Sequence, residues 1–226
     1  MEAPCLYIAS SPALDYAKEY LRKDGISIAD SITENVSHIL LPIPTREIPE
    51  GLPEGCTIIG GHIPKGIDLL KDEVYLAQNA AITAHGAVKI AMNALPVCLW
   101  DCETLILGWG RIAQCLSHLL KGMGGKVSIA ARNQEAVALA RALGFGAFSL
   151  ESLNFAPYRL VFNTIPSELG FQASDFPKDC VKIDLASIKA LPGEDVIWAR
   201  GLPGKEAPES SGALIARRTA YYLNKE

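Results

Sequence analysis

The sequence predicts an α/β chain of two lobes, each a parallel sheet flanked by helices, linked by a connector helix. Three observations carry this reading. Short apolar runs alternate with polar, helix-periodic stretches along all 226 residues. The runs are continuous rather than alternating and end in Gly or Pro, as buried parallel strands do. Between two such series lies one long alanine-rich stretch, at 74–96.

The first lobe is assigned to residues 1–77. "CLYIAS" (5–10) reads as a buried strand. "SPALDYAKEYLRKDG" (11–25) reads as a helix, with Ser11 as cap, Pro12 in the first turn and Gly25 as stop. "SHILLPI" (37–43) and "CTIIGG" (56–61) are further strands. "VYLAQNAAITAHGAVKIAMNALP" (74–96) is read as a short strand running into the connector helix at 78–96, which Pro96 ends.

The second lobe is assigned to 97–207. "TLILGWG" (104–110) is a strand entering a tight turn, and "RIAQCLSHLLKGMGG" (111–125) a helix. "KVSIAARN" (126–133) is a strand and "QEAVALARALGFG" (134–146) a helix. "RLVFNTIP" (159–166) and "CVKIDLAS" (180–187) are strands ending in polar residues. "APESSGALIARRTAYYL" closes the chain as a helix, and 208–226 is treated as a separate segment.

Bulk chemistry narrows the function. A net charge of -4 gives no basic surplus for nucleic acid. No apolar stretch reaches the roughly 20 residues of a membrane span, and "MEAPCLYIAS" lacks the features of a secretory signal, so a cytoplasmic protein is expected. Six scattered cysteines form no Cys-x-x-Cys pair and read as ordinary thiols, with no metal site expected.

The turn "GWGRIA" carries the chemistry. Gly108 permits the sharp strand-to-helix bend, Gly110 removes a side chain where a pyrophosphate would approach, and Ala113 lets the helix lie close. Amides of Trp109, Gly110, Arg111 and Ile112 would face the phosphates. A strand before, a helix after and a second strand at the right distance make both lobes Rossmann-like and the second the nucleotide-binding one. The second strand ends Ala131-Arg132-Asn133, where NAD sites usually carry an acid. A guanidinium there suits the 2′-phosphate of NADP, with Asn133 adding a donor. Asn163, Thr164, Ile165 and Pro166, with Leu185 and Ala186, stand at the ends of later strands, where ligands lie in open parallel sheets.

At "NTIPS", "IDLAS" and "GLPGKEAPESSG" the chain resembles the nicotinamide-nucleotide-binding component of the dipicolinate synthase family. The resemblance extends through "SHILLPI", "ITAHGAVKIAM", "LILGWGRIA" and "AAR". It implies an NADP-linked oxidation of dihydrodipicolinate, or of its hydroxytetrahydro precursor, to dipicolinate. It also implies a small dicarboxylate substrate between the lobes, sporulation on a branch of the lysine and diaminopimelate route, and the flavoprotein-like second component of dipicolinate synthase as partner. A homo-oligomer is compatible with it. The chain departs from the family in a shorter first lobe and in "IASSPA", which replaces a Gly-Gly-Asp start. Only "IKALPGEDVIWAR" stands between "DLAS" and "GLPG", where the family has a longer segment.

The candidate reacting groups follow. Lys205, beside Gly204 and ahead of the last helix, is assigned to a substrate carboxylate. Thr83 and His85 open the connector and are expected to face the site. His85, where the family commonly has Glu, is the group suited to moving a proton. Ser187 is expected to touch nicotinamide or substrate. Two alternatives stay open. One is a nucleotide-binding regulatory or scaffold protein without turnover, favoured by the shortened segment. The other is a 2-hydroxyacid dehydrogenase proper, disfavoured because no histidine follows His118.

Overall fold

A computed structural model describes residues 4–225. In chain order its elements are β1 (Cys5–Ile8), α1 (Pro12–Lys23), β2 (Ser27–Ala29), β3 (His38–Leu40), β4 (Thr57–Gly60), β5 (Ile67–Asp68), α2 (Glu73–Ala94), β6 (Glu103–Leu107), α3 (Arg111–Gly122) and β7 (Lys126–Ala131). There follow α4 (Gln134–Ala142), β8 (Gly146–Ser149), β9 (Leu160–Asn163), β10 (Val181–Asp184), β11 (Val196–Trp198), α5 (Leu202–Glu206) and α6 (Pro208–Leu223). Two compact units result. One comprises the chain up to Ile82 together with Pro203 onward; the other is Thr83–Leu202. The sequence places the division near residue 96 and sets the last helix apart. The units divide instead inside α2, and α6 belongs with the first.

In the first unit five parallel strands take the order β2-β1-β3-β4-β5. Ser11 caps α1, its hydroxyl accepting from the Leu14 N–H. One face of α1 buries Leu14, Ala17 and Leu21 in a cluster with Leu6, Leu40 and Ile59 of the strands and Leu214, Ile215 and Leu223 of α6. Gly212 makes the helix contact possible, since a Cβ there would stand 2.4 Å from the Ala13 carbonyl oxygen. Residues 74–77 are not the expected strand. Asp72 accepts from the N–H groups of Val74 and Tyr75, so the helix starts at Glu73. The other Asp72 oxygen receives Arg218 Nε at 2.6 Å and the Tyr222 hydroxyl at 3.2 Å. Burial alone would raise this carboxyl. The bonds from Tyr75 and Arg218 outweigh it and hold Asp72 below the ordinary carboxylate range.

The second unit has six parallel strands in the order β11-β10-β9-β6-β7-β8. Strand alternation sends Ile106, Ile129, Phe162 and Ile183 to one face and Leu105, Leu107, Ala130 and Val161 to the other. The first face lies under α2, α3 and α4, through Ala87, Ala91, Leu116, Leu120, Val137 and Ala140. The second is covered by loops and two 3-10 turns, at Leu150–Ser152 and Ala173–Asp175. Phe155, Phe171 and Phe176 close that layer, with ring centroids 4.5–6.0 Å apart. The short segment before "GLPG" folds as a loop and the edge strand β11.

All six cysteines are free. Burial pushes the Cys180 thiol up to about 12. No described helix is long and apolar enough to cross a membrane.

Candidate functional site

All strands of the second sheet are parallel, so their C-terminal ends share one edge. At β6 the order switches, with β7 on one side and β9 on the other. Such a switch opens a crevice at that edge. Gly108 stands at φ +103°, and a Cβ there would lie 2.4 Å from Thr164 Oγ1. Thr164 is held that close by donating its hydroxyl to the Leu107 carbonyl at 2.7 Å, alongside its own N–H. The bend is therefore shaped from both sides and needs glycine.

Gly110 differs. It is the N-cap of α3 at φ −80°, and a Cβ built on it meets nothing within 4 Å. No side chain caps this helix. The amides that open α3 stand at the positive end of the helix dipole, the setting that suits a diphosphate. Ala113 is fully buried under this first turn. Ile112 is half-buried, Arg111 exposed. Trp109 packs edge-on against Phe145, at 5.8 Å between centroids.

At the tip of β7, Ala131 is buried and Arg132 exposed. Arg132 Nη1 donates to Ser167 Oγ at 3.1 Å, and Nη2 donates to the Glu168 carbonyl. Asn133 caps α4, its side-chain oxygen accepting from the Glu135 N–H at 2.7 Å.

The ends of β9 and β10 correct one expectation. Asn163 is fully buried, so its side chain has no surface to offer a ligand. Its amide group donates to the Ile165 carbonyl and to Asp184 Oδ1, and its oxygen accepts from the Ile165 N–H. Asp184, also fully buried, accepts from the N–H groups of Ala186, Ala190 and Leu191. The pair shapes the two loops instead of contacting what lies over them. Ile165 is half-buried and Pro166 exposed; Leu185 and Ala186 are buried, while Ser187 is exposed. The Ala186 carbonyl accepts from Trp198 Nε1 at 3.2 Å.

The structure thus brings Gly108–Ile112, 131–133, 163–166 and 185–187 to one sheet edge. His85 is exposed on α2 in the same unit, whereas Thr83 is buried, against the expectation that both are open. Gly204 and Lys205 belong to the other unit. Lys205 is exposed in the last turn of α5, a short helix ahead of α6. Sequence reasoning missed the parts played by Ser167, Glu168 and Asp184 as bond partners. Only the strand order reveals that residues 132 and 167 are neighbours.

No family model matches the chain, and no curated protein matches it in sequence. Solved structures do. A dipicolinate synthase chain from Bacillus halodurans superposes with a TM-score of 0.85 at 18% identity, covering 98% of each chain. The corresponding dipicolinate synthase chain from Bacillus subtilis gives 0.81 at 18% identity, covering 100% of this chain and 97% of the other. A transhydrogenase from Sinorhizobium meliloti gives 0.74 at 13% identity, covering 98% and 92%. At such identities the likeness establishes the fold, two parallel-sheet α/β units of the Rossmann-like, dehydrogenase type.

Proposed function

We propose that the chain is an NADP-dependent oxidoreductase of the dipicolinate synthase kind, oxidising dihydrodipicolinate or its hydroxytetrahydro precursor to dipicolinate. The observation that carries this reading is the open position at Gly110 before the uncapped α3, with the exposed Arg132 at the neighbouring strand tip. The amides of 110–112 would hold the diphosphate, and Arg132 with Asn133 the 2′-phosphate. The loops after β9 and β10, fixed by Asn163 and Asp184, would border the nicotinamide half. Bound there, NADP supplies the hydride acceptor. From dihydrodipicolinate the second hydrogen leaves as a proton, and His85 is the exposed group offered for it; the hydroxytetrahydro precursor must first lose water to give dihydrodipicolinate. Ser187, exposed at the same sheet edge, is assigned to the dicarboxylate. The flavoprotein-like second component of dipicolinate synthase is the expected partner, in the cytoplasm.

A second reading is a nucleotide-binding regulatory protein without turnover. The loop and three-residue strand that stand in place of a longer segment favour it. Fluorescence titration with NADPH and NADH tests both readings, and binding of neither removes them together. Given binding, hydroxytetrahydrodipicolinate is added with and without a flavoprotein partner. Absorbance of dipicolinate supports the enzyme, and its absence under both conditions supports the regulator.

A further inference from the structure

Strand β6 lies between β7 and β9. Arg132 directly follows β7, and Ser167 and Glu168 lie in the loop after β9. The bonds from Arg132 to Ser167 Oγ and to the Glu168 carbonyl therefore pass across the end of β6, where Gly108 begins the bend. We propose that Ser167 is a positioning residue that holds Arg132 across this edge and so sets the preference for the coenzyme bearing a 2′-phosphate. The proposal rests on the nucleotide-binding reading above.

The physical case has three parts. An arginine at a strand tip loses rotamer freedom when a ligand orders it, which weakens binding. Two bonds made without a ligand already restrict the guanidinium. Those bonds leave donors over: of five N–H groups, two are engaged, and Ser167, which accepts from Arg132, keeps its own hydrogen for an anionic oxygen. Asn133 keeps its amide hydrogens as well, because the α4 cap uses only its oxygen. Lastly, no carboxylate pairs with Arg132 among the described residues, so its charge is not cancelled within the protein. A dianionic phosphate would meet a fixed cation with hydroxyl and amide donors around it.

The test uses the full chain and the variants Ser167→Ala and Ser167→Thr. NADPH and NADH are titrated by fluorescence, and adenosine 2′,5′-bisphosphate against 5′-ADP by calorimetry. Ser167→Ala is expected to lower the NADPH-over-NADH ratio by about three- to tenfold, the worth of one net hydrogen bond, with NADH affinity unchanged. Ser167→Thr keeps the hydroxyl and should keep the ratio. The bisphosphate-to-ADP ratio should fall in parallel with the coenzyme ratio, and thermal unfolding should not move. An unchanged ratio in Ser167→Ala overturns the proposal. So does tighter NADPH binding in that variant, which would mean that Ser167 restrains Arg132 away from the ligand. A wild-type chain that binds both coenzymes equally overturns it too, while the nucleotide reading survives. Only a wild-type chain that binds neither brings down the nucleotide reading itself.

Discussion

The two faces of the β6–β11 sheet are held by different means. One carries α2, α3 and α4, whose backbone bonds are internal and whose apolar sides fill the interface. The other carries loops and 3-10 turns over the same strands. Loops have no ladder of their own, so side chains must satisfy and pin their backbone. Asp184 takes three loop amides at once. Lys182, only 1% exposed in mid-strand, donates to Asp195 in the loop before β11 at 2.6 Å. A hollow of about 350 Å³, lined by Gln172, Phe176, Lys178, Lys182, Gly193 and Asp195, remains on that side. The helical face is held by packing, the loop face by packing together with polar bonds that pin its loops, and substitutions should separate the two.

Leu116→Ala, in the centre of the helical face, should cost most, about 3 kcal/mol by thermal or denaturant unfolding. A loss under about 1 kcal/mol would mean that the interface closes up around the missing side chain. Asp184→Asn should cost about 2 kcal/mol, because a neutral amide cannot accept what the carboxylate accepts from three N–H groups. Hydrogen exchange should quicken at Ala190 and Leu191 and stay slow in α3. Uniform quickening would erase the distinction between the faces.

Asp195→Ala should cost about 1 kcal/mol at neutral pH, a figure reduced because the Asp195 side chain is 60% exposed. The Lys182 ammonium beside Asp195 holds its carboxyl below the ordinary value. A lowered folded value stabilises above the unfolded pKa of about 3.9 and is lost as pH falls through the folded one. The gap between wild type and variant should therefore close below about pH 4; a gap constant down to strong acid would refute the ion pair. Gly110→Ala should be smallest, within about 0.5 kcal/mol in stability, since its Cβ meets nothing. It should still weaken NADPH binding, and a variant that unfolds would show that the position is not open.

The strands that sequence patterning finds are the interior ones, such as β6, β9 and β10, whose apolar runs are buried on both faces. The four it misses, β2, β5, β8 and β11, are the four sheet edges. "SIA", "ID", "GAFS" and "VIW" are two to four residues long and half-exposed, too short for patterning to tell them from loops. The glycine bend is legible because Gly108 and Gly110 answer to local geometry. The buried commitment of Asn163 is not, because its partner Asp184 lies on another strand. Likewise, nothing within "AARN" announces a bond to Ser167. The α2 start is hidden because its cap, Asp72, precedes an apolar run that mimics a strand.

Packing α6 against α1 has a consequence for biosynthesis. The core of the first unit includes Leu214, Ile215, Ala216 and Leu223, which a ribosome makes after everything from Thr83 to Leu202. During translation the second unit can complete itself while the earlier one waits, its Leu14 and Leu21 side uncovered. Chains stalled before residue 208 would display that sticky surface, which makes late translation the hour of greatest need for a chaperone.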